Sequence, residues 1–414
     1  MKKSKKIILA IVAIVLVAVI AIGGSYIYNE CFTLKAKIVS SAQPVSLTLP
    51  KPYRGYIDFY NERSGGEYPF ATQAWDMQVY DGKVFLAGGD YDKNSQATPV
   101  FTYNPKTEKF QYCDIVYTEQ VGAFEVFDGR LMAVAIDPVA WGGGEYYVYN
   151  KKKNAFDYYT TLPTNIHCYD VEYFDGKYFF AGSVNDTINC SGVQWIDEKD
   201  ICSTDKTKTH HSFLTVDGER IPEYLNMRVY ELFAYKGELF AWHNAIVPEQ
   251  FKKYFGLFKY NKQTDCFEKL GDEYTMDPVE EKIQNEIDYM EIQAKLIYDD
   301  KYVFANNGLL YTEDFKNYTE CEFGEGYEGF LAHDMFEREG QLYILASKKL
   351  KNGKHKTCVF VTEDLKEFAE VLNFESESYM ISFEHIDNTF IFCEGSRDDN
   401  PTDNCGNLYA VKVE

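Results

Sequence analysis

Positive charge is scarce in this chain. Its 42 lysines and arginines face 64 aspartates and glutamates, leaving a net charge of −22, and only seven of the cations are arginine. So acidic a surface repels phosphate backbones, which excludes nucleic acid as a partner. It suits a soluble face that resists self-association. Tryptophan is rarer still, at four residues, yet aromatics as a class are abundant, with 34 Tyr and 30 Phe. That bias favours strands over helices. The 414 residues could hold two or three average domains, but all-β folds often use well over ~200 residues as one unit.

Long apolar runs are lacking, with one exception. "MKKSKK" precedes an uncharged stretch of 18 residues, Ile7 to Gly24, near the short end of the roughly 17–25 that span a bilayer. Basic flanks stay cytoplasmic, so the reading is a basic tail (1–6), a transmembrane signal anchor (7–24), a linker (25–52) and an extracytoplasmic domain (53–414) at the cell membrane. The rival is a cleavable signal peptide, for which "AIGGSYIYNE" offers a poor cleavage site.

Ten cysteines in an exported chain permit disulfides. Cys393 and Cys405 flank "EGSRDDNPTDN" and could staple a loop; Cys190 and Cys202 are similarly spaced. The alternative is that they are small apolar core residues.

A ten-residue pattern recurs along the chain: "YDGKVFLAGG" from Tyr80, "FDGRLMAVAI" from Phe127 and "FDGKYFFAGS" from Phe174. Aligning on the turn gives seven copies, at Asp81-Gly82, Asp128-Gly129, Asp175-Gly176, Lys236-Gly237, Asp299-Asp300, Glu339-Gly340 and Asp387-Asn388. Asp-Gly favours a two-residue hairpin because glycine accepts positive φ. Each turn leads into a short run apolar on both faces, which must be covered on both faces. A second hairpin follows in most copies, as in "VFTYNPKTEKFQY" and "LFKYNKQTDCFEKL". The sequence therefore predicts an all-β fold: a seven-bladed β-propeller of four-stranded antiparallel blades, preceded by one transmembrane helix. The last copy lacks an outer strand, and Tyr53–Tyr60 is the expected source of it. "MDPVEEKIQNEI", from Met276, predicts one short inserted helix.

Gly88-Gly89 and "YNPKTEKF" resemble a Kelch blade. "TEDFKNY" (Thr312 to Tyr318) and "TEDLKEF" (Thr362 to Phe368) resemble Asp boxes, with Lys316 and Lys366 where those boxes carry glycine. The resemblance to Kelch-type and Asp-box (sialidase-like) propellers implies that architecture over roughly residues 53–414. It transfers no activity, and the scattered arginines supply no sialidase-like triad.

Five residues before the turn, four copies carry an acid preceded by an aromatic or histidine. These dyads are Trp75-Asp76, Tyr169-Asp170, Tyr230-Glu231 and His333-Asp334, expected near one mouth of the channel. Glu125 and Glu384 stand two positions later in two other copies. Trp141, and Trp242 beside His243, are expected on the same surface. Aromatic faces beside carboxylates suit sugar rings, and acid pairs about 5–9.5 Å apart could perform glycosidic chemistry. The bland alternative is that the acids accept backbone N–H bonds from neighbouring blades while the aromatics pack between them. No catalytic residue, metal ligand or cofactor is assigned. "DYDKNS" (Asp90 to Ser95) begins like a calcium loop but lacks the sixth-position glycine. The expected function is recognition of a glycan, peptide or envelope protein at the cell surface, with a glycan-processing enzyme as the alternative.

Overall fold

In the computed structural model the described residues are 33–35, 38–40 and 73–413, less 90–96, 138, 140–143, 163–164, 185–192, 222–227, 244–252, 277–293, 306–307 and 396–403. All seven repeated turns form hairpins. Their first residues, five aspartates with Lys236 and Glu339, take φ between 46° and 54°. That left-handed geometry matches the twist of the flanking strands.

Two short strands, β1 (Thr33–Lys35) and β2 (Ile38–Ser40), precede the hairpins. The first blade holds β3 (Asp76–Tyr80), β4 (Lys83–Ala87), β5 (Thr98–Asn104) and β6 (Lys109–Val116), with β1 on its outer edge. The second holds β7 (Phe124–Phe127), β8 (Arg130–Val134), β9 (Gly144–Asn150) and β10 (Ala155–Leu162).

Then comes a nine-stranded sheet. One antiparallel half is β11 (Asn165–Phe174), β12 (Lys177–Val184), β13 (Val193–Asp197) and β14 (Thr209–Val216), with β15 (Glu219–Arg220) beside β14. The other half is β16 (Val229–Tyr235), β17 (Glu238–His243), β18 (Gly256–Asn261) and β19 (Cys266–Lys269).

Three further blades complete the chain. They are β20 (Lys295–Tyr298) to β23 (Tyr318–Cys321), through β21 (Lys301–Ala305) and β22 (Leu309–Thr312); and β24 (Leu331–Arg338) to β27 (Ala369–Ser376), through β25 (Gln341–Lys349) and β26 (His355–Thr362). The last is β28 (Tyr379–Ile386), β29 (Thr389–Gly395) and β30 (Leu408–Lys412), with β2 as its fourth strand.

The fold is thus an all-β propeller, but not one of seven separate four-stranded blades. Five blades stand alone, and the region expected to supply the third and fourth is one continuous sheet. The cause is local. β14 and β19 run parallel and pair edge to edge, Phe213 with Cys266, Leu214 with Phe267 and Thr215 with Glu268. Ser212 Oγ donates to Asp265 Oδ1 at 2.7 Å across the same seam. Leu214 and Phe267 are fully buried in one shared core.

The expected transmembrane helix is a second correction. No helix among the described residues is long and apolar enough to cross a membrane; the described helical elements include two 3-10 turns at Glu198–Asp200 and Lys206–Lys208. Residues 7–24 lie outside the described residues, as do 53–60 and most of the helix expected after Met276. The closing fourth strand of the last blade is β2, at Ile38–Ser40, rather than 53–60. Cys393 and Cys405 are both buried thiols and Cys202 an exposed one, none of them in a disulfide, so neither expected bridge is formed.

Apolar clusters lie between neighbouring sheets, which is why the runs are apolar on both faces. Val84, Leu86 and Phe101 of the first blade share a core with Ile386, Ile391 and Leu408 of the last. Inner strands follow one another in a cycle. Cys168 N–H donates to Ala135 O at 2.9 Å, bringing β11 to the second blade. Val79 N–H of β3 donates to Glu384 Oε2 of β28 at 3.1 Å, joining last to first.

Candidate functional site

The aromatic–acid dyads turn out to be β-bulges. On β11, Cys168 and Asp170 pair with the adjacent Gly182 and Ala181, leaving Tyr169 as the extra residue. Tyr230 is extra between Val229 and Glu231, and His333 between Ala332 and Asp334. Trp75 N–H donates to Ala87 O while Asp76 pairs with Ala87, so the first blade has the same double occupancy. A bulge re-aims the side chains beside it, and this one brings each acid towards the next inner strand.

Three aspartates use the bulge identically. Asp76 accepts from Met77 N–H at 2.8 Å and from Phe124 N–H at 2.6 Å. Asp170 accepts from Val171 and Leu232, both at 2.9 Å. Asp334 accepts from Met335 and Phe383, both at 2.8 Å. In each case one oxygen holds its own strand and the other holds the following one. Glu172 does the same with Tyr173 (2.9 Å) and Ala234 (3.0 Å), and Glu384 with His385 (2.7 Å) and Val79.

The carboxylates crowd one another. Burial pushes Asp76 up to about 7 against the pull of its two N–H bonds, and Glu384 adds repulsion. Burial likewise pushes Glu172 and Glu384 up to about 7. Asp334 is raised well above the carboxylate range by burial and then by Asp76. Glu125 is raised well above it by burial and then by Asp170 and Glu172.

Two cations answer them: Arg338, whose Nη2 lies 3.2 Å from Glu384 Oε1, and Lys295. Lys295 opens β20, and its Nζ lies 2.9 Å from Asp170 Oδ2 and 3.6 Å from Glu231 Oε1. Burial opposes the charge, but Asp170 and Glu231 outweigh it and hold the ammonium above its usual range. Sequence reasoning missed this residue. The signal was available: Lys295 sits four residues before the fifth turn, where that copy has no acid.

Asp170 is fully engaged, whereas Glu231 is not. Besides Lys295, Glu231 takes only a 3.4 Å contact from the Tyr302 hydroxyl among the described residues, and its side chain is 24% exposed. Its chain neighbour Tyr230 forms a step with Tyr169, the extra residue of the preceding bulge. Tyr169 and Tyr230 lie 4.9 Å apart between ring centroids, tilted by 36°, and His167 stacks on Tyr169 at 5.8 Å. His167 Nδ1 donates to Ile136 O at 2.8 Å and lies 3.6 Å from Asp137 Oδ1. Burial lowers its proton affinity, against the pull of Asp137. Arg228 acts on both Asp137 and His167.

The other nominated residues do not join this group. Trp75 Nε1 donates to Gly89 O at 2.8 Å. Trp242 is buried in the core beside Phe304 and Leu309. His243 is wholly buried, its Nδ1 donates to Tyr254 O at 2.8 Å, and burial lowers it to about 4. His333 is buried against Ser347 Oγ and the Tyr379 ring. Trp141 lies outside the described residues, as does the whole Asp90–Ser95 loop. Among the described residues no group of three or more His, Cys, Asp or Glu is disposed to hold a metal ion. A cavity of about 410 Å³ lies on the turn side, lined by Arg130, Gly176 and Asp197 to Lys199 with Ile201 and Cys202, and none of the nominated residues that the structure describes lines it.

No family model matches the chain, and no curated protein does. Solved structures with a similar fold include the β-propeller domain of the Trilobed protease from Pyrococcus furiosus. It is 11% identical over 82% of this chain and 94% of that one, with a TM-score of 0.44. The extracellular domain attributed to a hybrid two-component system of B. thetaiotaomicron is 8% identical, with a TM-score of 0.47; the match covers 78% of this chain but 39% of that one. A PL25 ulvan lyase is 9% identical over 81% and 91%, with a TM-score of 0.43. Similarities this low carry no argument about activity.

Proposed function

We propose that this chain is an extracytoplasmic recognition module that seats a saccharide ring on the Tyr169–Tyr230 step at the channel mouth. The carrying observation is the pairing of that step with Glu231, the one nominated acid not bracketed between two backbone N–H groups. A sugar's C–H face stacks on tilted tyrosines while its hydroxyls donate to a carboxylate. The uncharged run at 7–24 behind four lysines supports export. Kinship with Asp-box propellers draws support from two matching turns. Thr312 Oγ1 accepts from Asp314 and Phe315, and Asp314 Oδ1 from Lys316 and Asn317; Thr362 and Asp364 repeat the arrangement.

Recognition is favoured over turnover because three of the four nominated acids, Asp76, Asp170 and Asp334, hold backbone with both oxygens. The test is a glycan array followed by calorimetry on the best ligand. Tyr230→Ala is expected to weaken binding by about tenfold, the worth of one aromatic contact, and Glu231→Gln to weaken it further. An array without binders, or a Tyr230→Ala protein that binds like the parent, refutes the proposal. Product release abolished by Glu231→Gln would favour the enzyme.

A further inference from the structure

The joint between the first and last blades is fastened at two ends by different means. At the inner end the fastening is by side chains. Glu384 accepts from Val79 N–H, Ser382 Oγ donates to Ala74 O at 2.6 Å, and Ala74 N–H donates to Cys393 Sγ at 3.1 Å. At the outer end it is by strands. β1 pairs antiparallel with β6, Thr33 to Gln111, Leu34 to Phe110 and Lys35 to Lys109. β2 pairs parallel with β30, Ile38 to Ala410, Val39 to Val411 and Ser40 to Lys412.

Only two residues separate β1 from β2. Two strands close together in sequence therefore occupy the outer edges of two different blades. Lys412 Nζ and Glu108 Oε1, 2.8 Å apart, cross the same gap. A short linker cannot stretch to follow edges that part, since each residue reaches at most about 3.3–3.6 Å.

We propose that β1 (Thr33–Lys35) and β2 (Ile38–Ser40) act as a detachable clasp that closes the ring from outside, so that the two strands engage and release together. The argument is energetic. Three backbone pairs per edge is little for either strand alone, but each strand holds the other at high local concentration over a two-residue link. When the clasp lifts, β6 and β30 become edge strands, and Ala410 to Lys412 lose the strand beside them. Opening is then a local event of lower cost than global unfolding.

Hydrogen exchange on the full chain tests this. In the unmodified protein, amides in 109–111 and 410–412 that face the clasp are expected to share one opening free energy, below the global value. Leu34→Pro and Lys35→Pro change adjacent residues of β1, of which one must turn its N–H towards β6. That variant loses a ladder donor, and a lost bond speeds exchange by roughly tenfold. The increase is expected at 410–412 as well as at 109–111, although β1 does not touch β30. Acceleration confined to 109–111, unequal opening energies at the two edges in the parent, or exchange at either edge only through global unfolding would each overturn the clasp. The comparison within the unmodified protein stands even if both variants fail to fold.

Discussion

Asp76, Glu172 and Glu384 each bind their proton more tightly in the fold than when exposed, with values near 7 against ordinary values of 3.8 and 4.5. Between those limits the native state holds more protons than the unfolded chain, so stability falls as pH rises, and levels off above about 7. Asp314 runs the other way. Backbone N–H bonds from Asn317 and Lys316 lower it to about 2, so its contribution is present above pH 4 and lost as pH falls through 2. Thermal unfolding should therefore show a higher midpoint near pH 5 than at pH 8, and a fall below pH 4. A midpoint that climbs from pH 5 to 8 contradicts the assignment. The recurring acid was legible in the sequence because a fixed offset from the turn reveals it. Its work was not. The N–H groups that Asp76, Asp170 and Asp334 bind beyond their own strands lie 48, 62 and 49 residues away, and no local pattern records such a partner.

At the scale of the element, hairpin turns and close approaches make different demands on glycine. Gly82 has φ +73°, and an added Cβ would meet nothing within 4 Å. Gly89 has φ +104° and bridges to Gln120, where a Cβ would lie 2.1 Å from Glu119 O. Gly82→Ala is expected to cost about 1 kcal/mol from backbone strain alone. Gly89→Ala adds a clash with backbone and should cost about 2–4 kcal/mol. Denaturant midpoints of the two variants check the order, and equal losses would show that the approach at Gly89 relaxes. The turns were readable because Asp-Gly states its own geometry. The bulges were not. A Tyr-Asp pair looks the same in a regular strand, and the extra residue exists only relative to the partner strand, as Tyr169 does against Gly182 and Ala181.

Across the whole ring, Lys295 balances carboxylates delivered by separate strands. Its Nζ meets Asp170 from β11 and Glu231 from β16, and it tempers Glu125 from β7. Lys295→Met leaves buried acids unpaired, a change that typically costs about 3–5 kcal/mol. The loss should be larger at pH 8 than at pH 5, because the orphaned carboxylates can take up protons at the lower pH. A loss independent of pH would mean that Lys295 serves by packing alone.

The sequence by itself determined the seven hairpins, their apolar strands and the acid in register with each of four turns. Such features are set by neighbours within a few residues, through turn conformation and the two-residue alternation of a strand. Tertiary structure decided how outer edges pair: that β14 meets β19 and fuses two expected blades, and that β2 rather than 53–60 completes the last one. Edge pairing draws on backbone groups that every residue carries, so any exposed strand of suitable length can compete for an edge. Only the assembled ring brings particular edges within hydrogen-bonding reach.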